Sequence, residues 1–144
     1  MKAKFYHGGS FSDERGNLRF VNDEISCAYR RFYLITPVST QVVRAWQGHK
    51  REKKVFYAIN GSFLIAVVNP SSFENPDDDE LPEFYELSDH NNGLLIVPEG
   101  CYTGIKSKTK NATLLVLSEF DLNESKSDDY RQPAQRWVNW DSID

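Results

Sequence analysis

Short runs of apolar and aromatic residues alternate with turn-forming residues from Phe5 to about Leu117. The pair Asn60-Gly61 separates two such runs and is a strong hairpin signal, because a type I′ turn needs two residues with positive φ angles. The runs predict about nine strands at the spacing typical of a sandwich or barrel. They are Asn17–Val21, Ala28–Thr36, Gln41–Trp46, Lys54–Ile59, Ser62–Val68, Glu83–Leu87, Gly93–Val97, Tyr102–Lys106 and Thr113–Leu117.

The last part of the chain departs from this strand pattern. The run Ser125–Gln132 predicts a turn or a short helix that ends before Pro133. Residues 69–81 contain two prolines and an acidic run, which predicts a surface loop between strands. Since 144 residues fit one domain better than two, we expect a single all-β domain over residues 1–144.

Charge and composition exclude some classes of partner. The formal net charge is −4 and the sequence pI is about 5.4, whereas a nucleic-acid binder is usually basic. No segment approaches the roughly 18 apolar residues of a membrane span, and the N-terminus has no apolar leader segment. We therefore expect a cytoplasmic protein with no nucleic-acid or membrane partner, in which Cys27 and Cys101 are reduced thiols.

One basic cluster stands out against this acidic background, formed by Lys50, Arg51, Lys53 and Lys54. Such a cluster indicates a site for a small anionic ligand. It is equally typical of a solvated strand edge, where lysine is common. The residues alone favour neither interpretation.

His49, beside this cluster, is the strongest candidate for acid–base chemistry. Nearby cations lower the pKa of an imidazole and so favour the neutral form that a general base needs. The alternative is an exposed histidine in a basic turn. Of the other two histidines, His7 precedes two glycines and His90 lies in the turn-like stretch of residues 89–93, and we expect both to be exposed.

Several short motifs, in their order along the chain, resemble those of nucleotide-sugar 3,4-ketoisomerases of the WxcM-like kind. Residues 44–50, Arg-Ala-Trp-Gln-Gly-His-Lys, resemble the R-G-x-H-A-H-K stretch of these enzymes. The same residues are similar, more loosely, to the R-G-x-H stretch of dTDP-4-dehydrorhamnose 3,5-epimerases. The remaining motifs lie at residues 13–18 (D-x-R-G-x-L), 30–35 (K-R-x-Y-x-I), 97–100 (the P-x-G turn), and 115–118 followed by 128–131.

Both families are small cupins, so the resemblance implies a jelly-roll, double-stranded β-helix barrel with a short C-terminal helix or turn. It implies an isomerase or epimerase acting on a 4-keto-6-deoxy sugar linked to a nucleotide, expected to be dTDP, as in deoxysugar and polysaccharide biosynthesis. The resemblance also suggests that the arginine of the D-x-R-G motif, Arg15 here, reaches the ligand of a second subunit. That arrangement implies a homodimer.

Isomerisation of a keto sugar needs a base, a group that stabilises the developing oxyanion, and a proton donor. We expect His49 to be the base, with Lys54 or Arg44 at the oxyanion. The expected proton relays are Tyr33 and Tyr102, although either tyrosine could simply pack in the core. Arginine is best shaped for a diphosphate, and a tryptophan can stack on a base or sugar. The expected substrate-binding residues are Arg15, Arg31, Arg44, Gln47 and Trp46.

Two departures from the family motifs limit these expectations. Gln47 replaces the first histidine of H-A-H, which matches the catalytic base of the 3,5-epimerases, and a glutamine cannot take a proton near neutral pH. A non-catalytic cupin that binds a nucleotide sugar or another small anion is therefore the main alternative, and a bare structural module is a third. The ligand positions of metal-binding cupins fall on Gln47, His49, Lys53 or Lys54, and Thr103, so we expect no metal and no cofactor.

Overall fold

The computed structural model describes residues 2–23 and 28–143, so Cys27 lies outside the described residues. Within these ranges no helix has the length and apolar character needed to cross a membrane. Most of the regular structure is antiparallel strand. In chain order the elements are β1 (Lys4–His7), β2 (Gly9–Asp13), β3 (Gly16–Phe20), β4 (Arg31–Ile35), β5 (Val43–His49), β6 (Lys54–Asn60), β7 (Ser62–Val68), β8 (Glu83–Ser88), β9 (Gly93–Val97), β10 (Cys101–Ser107), β11 (Thr113–Ser118), α1 (Leu122–Lys126), β12 (Tyr130–Arg131) and a 3-10 turn, η1 (Trp140–Ser142).

Two five-stranded sheets form the body of the fold, in the orders β1-β9-β6-β11-β4 and β12-β5-β10-β7-β8, while β2 and β3 pair as a separate hairpin. The main core lies between the two sheets, because both contribute to one cluster of buried side chains. The first sheet supplies Phe56, Leu95 and Leu114, and the second supplies Phe63 and Ile65. Removing this apolar surface from water is the main force that holds the sheets together.

A second buried cluster lies on the other side of the β5-β10-β7 sheet, under the C-terminal tail. Trp46 and Tyr102 belong to it, and Trp140 packs against Trp46 with ring centroids 5.7 Å apart. Gly104 in β10 permits this approach, because a Cβ at that position would lie 2.5 Å from the Trp140 ring. The tail is therefore attached to the barrel by buried tryptophan.

Each of the nine predicted strands is present, as β3 to β11, whereas β1, β2 and β12 were not predicted. Strand β5 continues through Gly48 to His49, beyond the predicted end at Trp46. Gly48 makes room for Tyr102, since a Cβ at position 48 would lie 2.4 Å from that ring. The C-terminal helix begins at Leu122, before the predicted Ser125–Gln132, because Asp121 and Glu124 form a capping box at its N-terminus.

Candidate active site

His49 ends strand β5 with its imidazole buried in the barrel interior. Its Nδ1 lies 2.8 Å from the backbone oxygen of Asp128. A carbonyl oxygen only accepts hydrogen bonds, so Nδ1 carries the hydrogen and donates it. The other ring nitrogen, Nε2, has no hydrogen-bond partner among the described residues. In the neutral imidazole Nε2 therefore holds a free lone pair, which is the state of a general base.

The surroundings of His49 favour this neutral state. Burial lowers the pKa of His49, and the nearby Lys54 ammonium lowers it further. The negative charges of Glu52 and Asp128 and the hydrogen bond to Asp128 act in the opposite direction without reversing the shift. The basic neighbourhood seen in the sequence thus acts chiefly through one lysine, and burial has the larger effect.

Lys54 and Tyr33 form a polar pair on the adjacent sheet. Lys54 opens β6 and Tyr33 lies in the middle of β4. The Lys54 Nζ donates a hydrogen bond to the Tyr33 hydroxyl at 3.0 Å, and the lysine side chain is buried. An ammonium hydrogen-bonded to a phenol can stabilise a developing oxyanion and can also pass a proton through the hydroxyl.

The turn after His49 is held by a single buried carboxylate, that of Asp128. Its oxygens accept hydrogen bonds from three consecutive backbone amides, those of Lys50, Arg51 and Glu52, at 2.8–2.9 Å. Since the backbone oxygen of the same residue accepts from His49, Asp128 fixes both the imidazole and the turn that follows it. Carboxylate–amide bonds of this kind are stronger than neutral ones.

His49, Lys54 and Tyr33 line a cavity of about 610 Å³ to which strands of both sheets contribute. This volume lies in the range of small-molecule sites. Five cationic side chains line it, against one carboxylate, that of Asp129. The Arg131 guanidinium binds the Asp129 carboxylate at 2.8 Å and holds the pKa of that carboxyl below its usual range. The cationic residues are Arg31, Arg44, Lys54, Lys126 and Arg131.

Six of the nine predicted site residues meet at this cavity. They are Tyr33, Lys54, His49, Arg31, Arg44 and Gln47. Arg31 donates to the Ser125 hydroxyl at 3.0 Å, while its Nε has no hydrogen-bond partner among the described residues. Gln47 donates through its amide nitrogen to Asp129 at 3.3 Å. The side chain that replaces the family's histidine is therefore part of the cavity wall.

Tyr102 and Trp46 do not line the cavity, which corrects the roles expected for them. The Tyr102 hydroxyl donates to the backbone oxygen of Phe73 at 3.2 Å, and the Trp46 indole donates to that of Arg136 at 2.6 Å. Successive side chains of a strand face opposite ways. Gln47 lines the cavity, whereas its neighbour Trp46 packs in the buried cluster under the C-terminal tail.

Arg15 also lies away from the cavity of its own chain. It stands at the turn between β2 and β3, where its guanidinium binds Asp13 at 2.7 Å and remains 81% exposed. The basic cluster is divided as well, because Lys50 and Arg51 are exposed and only Lys54 lines the cavity. Most of the cationic lining comes from other elements.

Sequence reasoning did not single out several residues of this site. Lys126, Asp129 and Arg131 line the cavity, and Glu52 lies behind it. Thr103 also lines the cavity, but it was considered only as a metal-ligand position. Glu52 lies within the basic run of the sequence, and a carboxylate among lysines and arginines is typical of a solvated surface. The sequence pointed to Asp128, Asp129 and Arg131 only through the motif at residues 128–131. That motif was the one sequence feature that could have placed them at the site.

The carboxylates near His49 do not fit a metal ion. Atoms of His49, Glu52 and Asp128 lie within 4.8 Å of one another. However, the Asp128 oxygens are taken by three amides, and the Nδ1 of His49 is taken by a carbonyl. The Lys54 ammonium lies 3.6 Å from Glu52, where it would repel a cation. The donor set therefore gives no reason to place a metal here.

Comparison with known proteins agrees with this architecture. Residues 1–140 match the family model described as FdtA: WxcM-like, C-terminal. A search of curated proteins found no match. The sugar 3,4-ketoisomerase QdtA from Thermoanaerobacterium thermosaccharolyticum, solved in complex with TDP, is 22% identical with a TM-score of 0.72, covering 94% of this chain and 92% of that one.

Two further solved structures share the fold. The TDP-quinovose 3,4-ketoisomerase WlaRB from Campylobacter jejuni is 21% identical with a TM-score of 0.69, covering 95% of this chain and 98% of that one. The rmlC epimerase from Mycobacterium tuberculosis is 18% identical with a TM-score of 0.80, covering 96% of this chain and 74% of that one. These neighbours are cupin-type barrels, which confirms the predicted fold class.

Proposed function

The chain belongs to the WxcM-like, C-terminal family, and from that premise we propose that it is an isomerase or epimerase of a nucleotide-linked 4-keto-6-deoxy sugar, with dTDP as the nucleotide. The observation that carries the proposal is the buried, unpartnered Nε2 of His49 in a cavity lined by cations. A neutral imidazole in such a site is suited to removing a proton beside a carbonyl.

In the proposed reaction the Nε2 lone pair of His49 takes a proton from a carbon next to the sugar carbonyl. The electrons of that C–H bond form the carbon–carbon double bond of an enolate, and the carbonyl oxygen becomes an oxyanion. Lys54 stabilises the oxyanion, and Tyr33, bound to Lys54 at 3.0 Å, relays protons to and from it. Reprotonation of the original carbon on its opposite face restores the carbonyl and gives the epimer. For the ketoisomer, the oxyanion gains a proton, the hydroxyl on the deprotonated carbon loses its proton to become the new carbonyl, and the former carbonyl carbon is protonated. The proton transfer requires no cofactor and no metal.

The cations around the cavity are proposed to bind the diphosphate. Arg31 and Arg44 on the strands, and Lys126 and Arg131 near the C-terminus, place positive charge around one opening. Guanidinium groups bind phosphate oxygens in a bidentate manner and retain their charge at any working pH. Gln47 is proposed to act as a hydrogen-bonding residue of the sugar subsite.

We also propose a homodimer in which Arg15 serves the cavity of a second copy. The β2–β3 hairpin carries two apolar side chains that face water, Phe11 at 55% and Leu18 at 61% exposure, next to Arg15 at its tip. Phe32 on the outer side of edge strand β4 is 67% exposed. Burying these residues against a second copy would remove their apolar surface from water. A monomer in analytical ultracentrifugation at assay concentration would contradict this assembly.

The catalytic proposal is tested with TDP-4-keto-6-deoxyglucose in deuterated water, following exchange at the carbons beside the carbonyl by NMR. We expect exchange with the wild type and with the control His90→Asn, whose side chain is 97% exposed. Exchange with His49→Asn should be slower by at least about 100-fold. Tight binding without exchange would instead show a binding protein. If neither TDP nor the sugar nucleotide binds, both the isomerase or epimerase function and the binding function are contradicted.

A further inference from the structure

Glu52 is a carboxylate buried behind the cavity, between the two groups proposed to carry out the chemistry. Its side chain is fully buried and does not line the cavity. Oε1 lies 3.7 Å from the His49 Nδ1, and Oε2 lies 3.6 Å from the Lys54 Nζ. The Ser118 hydroxyl donates to Oε2 at 2.7 Å, whereas Oε1 has no hydrogen-bond partner among the described residues.

A buried carboxylate oxygen without a hydrogen bond is costly for a folded protein. Lys54 compensates the charge of Glu52 at the Oε2 side, and Oε1 faces His49. When Nε2 of His49 takes a proton, the ring becomes a cation, and its Nδ1–H lies close to Oε1. The attraction of Glu52 for His49 is therefore larger after the proton transfer than before it. A group with this preference lowers the barrier to the transfer.

We propose that Glu52 is a positioning residue whose carboxylate stabilises the imidazolium formed on His49, while its other oxygen pairs with the buried Lys54. Its role in turnover rests on the proposed function. Its effect on the charge of His49 does not, because that effect exists in the protein without substrate. The two can therefore be tested separately.

Other charged or titratable groups also face His49. Lys54 and Tyr33 lie on the opposite sheet, and Asp128 and Asp129 lie beside the ring before β12. Cys101 pairs with His49 across β5 and β10, and burial raises the pKa of its thiol to about 11, so it is neutral. The carboxylates at 128 and 129 are held by three amides and by Arg131 respectively. Glu52 is the carboxylate whose facing oxygen is not otherwise engaged.

The primary test is a proton NMR titration of the His49 ring in the ligand-free protein, assigned by comparison with His49→Asn. In Glu52→Gln we expect the titration midpoint of His49 to move to lower pH, because a stabilising negative charge has been removed. The exposed Glu99→Gln removes one charge elsewhere and should leave the midpoint in place. In Glu52→Asp, which keeps the negative charge, the titration midpoint of His49 should lie close to that of the wild type.

Removing Glu52 alone leaves Lys54 as an unpaired buried charge, which can prevent folding. The double variant Lys54→Met/Glu52→Gln avoids this, since it has no unpaired charge at either position. Its reference is Lys54→Met, in which the Glu52 carboxylate keeps His49 as its remaining cationic partner. The midpoint should be lower in the double variant than in Lys54→Met. Equal midpoints in this pair, or in Glu52→Gln and the wild type where both fold, would show that Glu52 serves only the fold.

Kinetics then test the role of Glu52 in turnover. Glu52→Gln should lower kcat by about 10- to 100-fold and move the acidic limb of the pH–rate profile to lower pH, whereas a purely structural change would reduce activity without moving that limb. If the wild type does not turn over the sugar nucleotide but the midpoint of His49 moves as expected, the proposed function fails and the assignment of Glu52 as the counter-charge of His49 stands.

Discussion

Replacing Asp128 by asparagine should destabilise the protein strongly, although the two side chains have nearly the same size and shape. The substitution exchanges one carboxylate oxygen for an amide nitrogen. One carboxylate oxygen of Asp128 accepts from the amides of Arg51 and Glu52, and the other accepts from the amide of Lys50. An asparagine oxygen can keep the first two bonds, but its amide nitrogen then faces the third amide. The variant therefore loses one bond outright and the charge assistance of two others.

The cost follows from these bonds. A buried hydrogen bond to a charged group contributes about 1.5–3 kcal/mol, and charge assistance roughly doubles a bond. At the lower end of this range, one lost bond and two bonds at half strength together give about 3 kcal/mol. For a chain of 144 residues, a change of 1 kcal/mol moves Tm by roughly 3 °C. We expect Tm of Asp128→Asn to fall by about 10 °C.

Calorimetry and urea unfolding measure this loss directly. The matched control is Asp129→Asn, since that carboxylate is half-exposed and forms its bonds with Arg131 and Gln47 at the surface. Such exposed pairs contribute less than about 1 kcal/mol. If the variant at position 128 loses no more stability than the control, the carboxylate does not hold the turn after His49, and the reasoning is wrong.

Three further predictions concern the cavity. Burial holds the pKa of His49 below its value in the unfolded chain, so the unfolded chain is protonated first as the pH falls. The free energy of unfolding should therefore fall as pH drops below about 6.5. In urea unfolding at several pH values, His49→Gln should show a weaker dependence of this free energy on pH. Tyr33→Phe should lower kcat by about tenfold or more, whereas Tyr102→Phe should lose only about 1 kcal/mol of stability, from its bond to a backbone oxygen, and keep its kcat. Lys126→Ala should weaken TDP binding in calorimetric titrations, with a larger loss at low than at high salt.

The strand pattern was predictable because each run of apolar residues buries one face against the opposite sheet. Strand β11 shows the relation, since Leu114 and Val116 are buried and alternate with half-exposed residues. The strands that the pattern did not predict were short or polar. Strand β12, for example, has two residues, and both are exposed. Pairing with β5 places β12 in the sheet, and no local pattern reports such a pairing.

The site was partly predictable because its parts are distant in sequence. The resemblance pointed to His49 and the basic cluster to Lys54, but the backbone oxygen of Asp128, which orients the imidazole, lies 79 residues away. Gln47 lay beyond the predicted end of the strand at Trp46, so the strand pattern implied no relation between the directions of these two side chains. The longer strand β5 places Gln47 at the cavity and Trp46 under the C-terminal tail. Burial of Glu52 within a basic run could not be inferred, because it depends on contacts with Ser118 and His49.

The proposed mechanism depends most on His49 lying against the reacting carbon of a bound nucleotide sugar. A crystal structure of His49→Asn with TDP-4-keto-6-deoxyglucose tests this directly, since the variant should bind the substrate without converting it. We expect the diphosphate among the cavity arginines, and the side chain at position 49 about 3–3.5 Å from a carbon next to the carbonyl. A sugar bound with its carbonyl away from position 49, or a ligand outside the cavity, would contradict the assignment of His49 as the base.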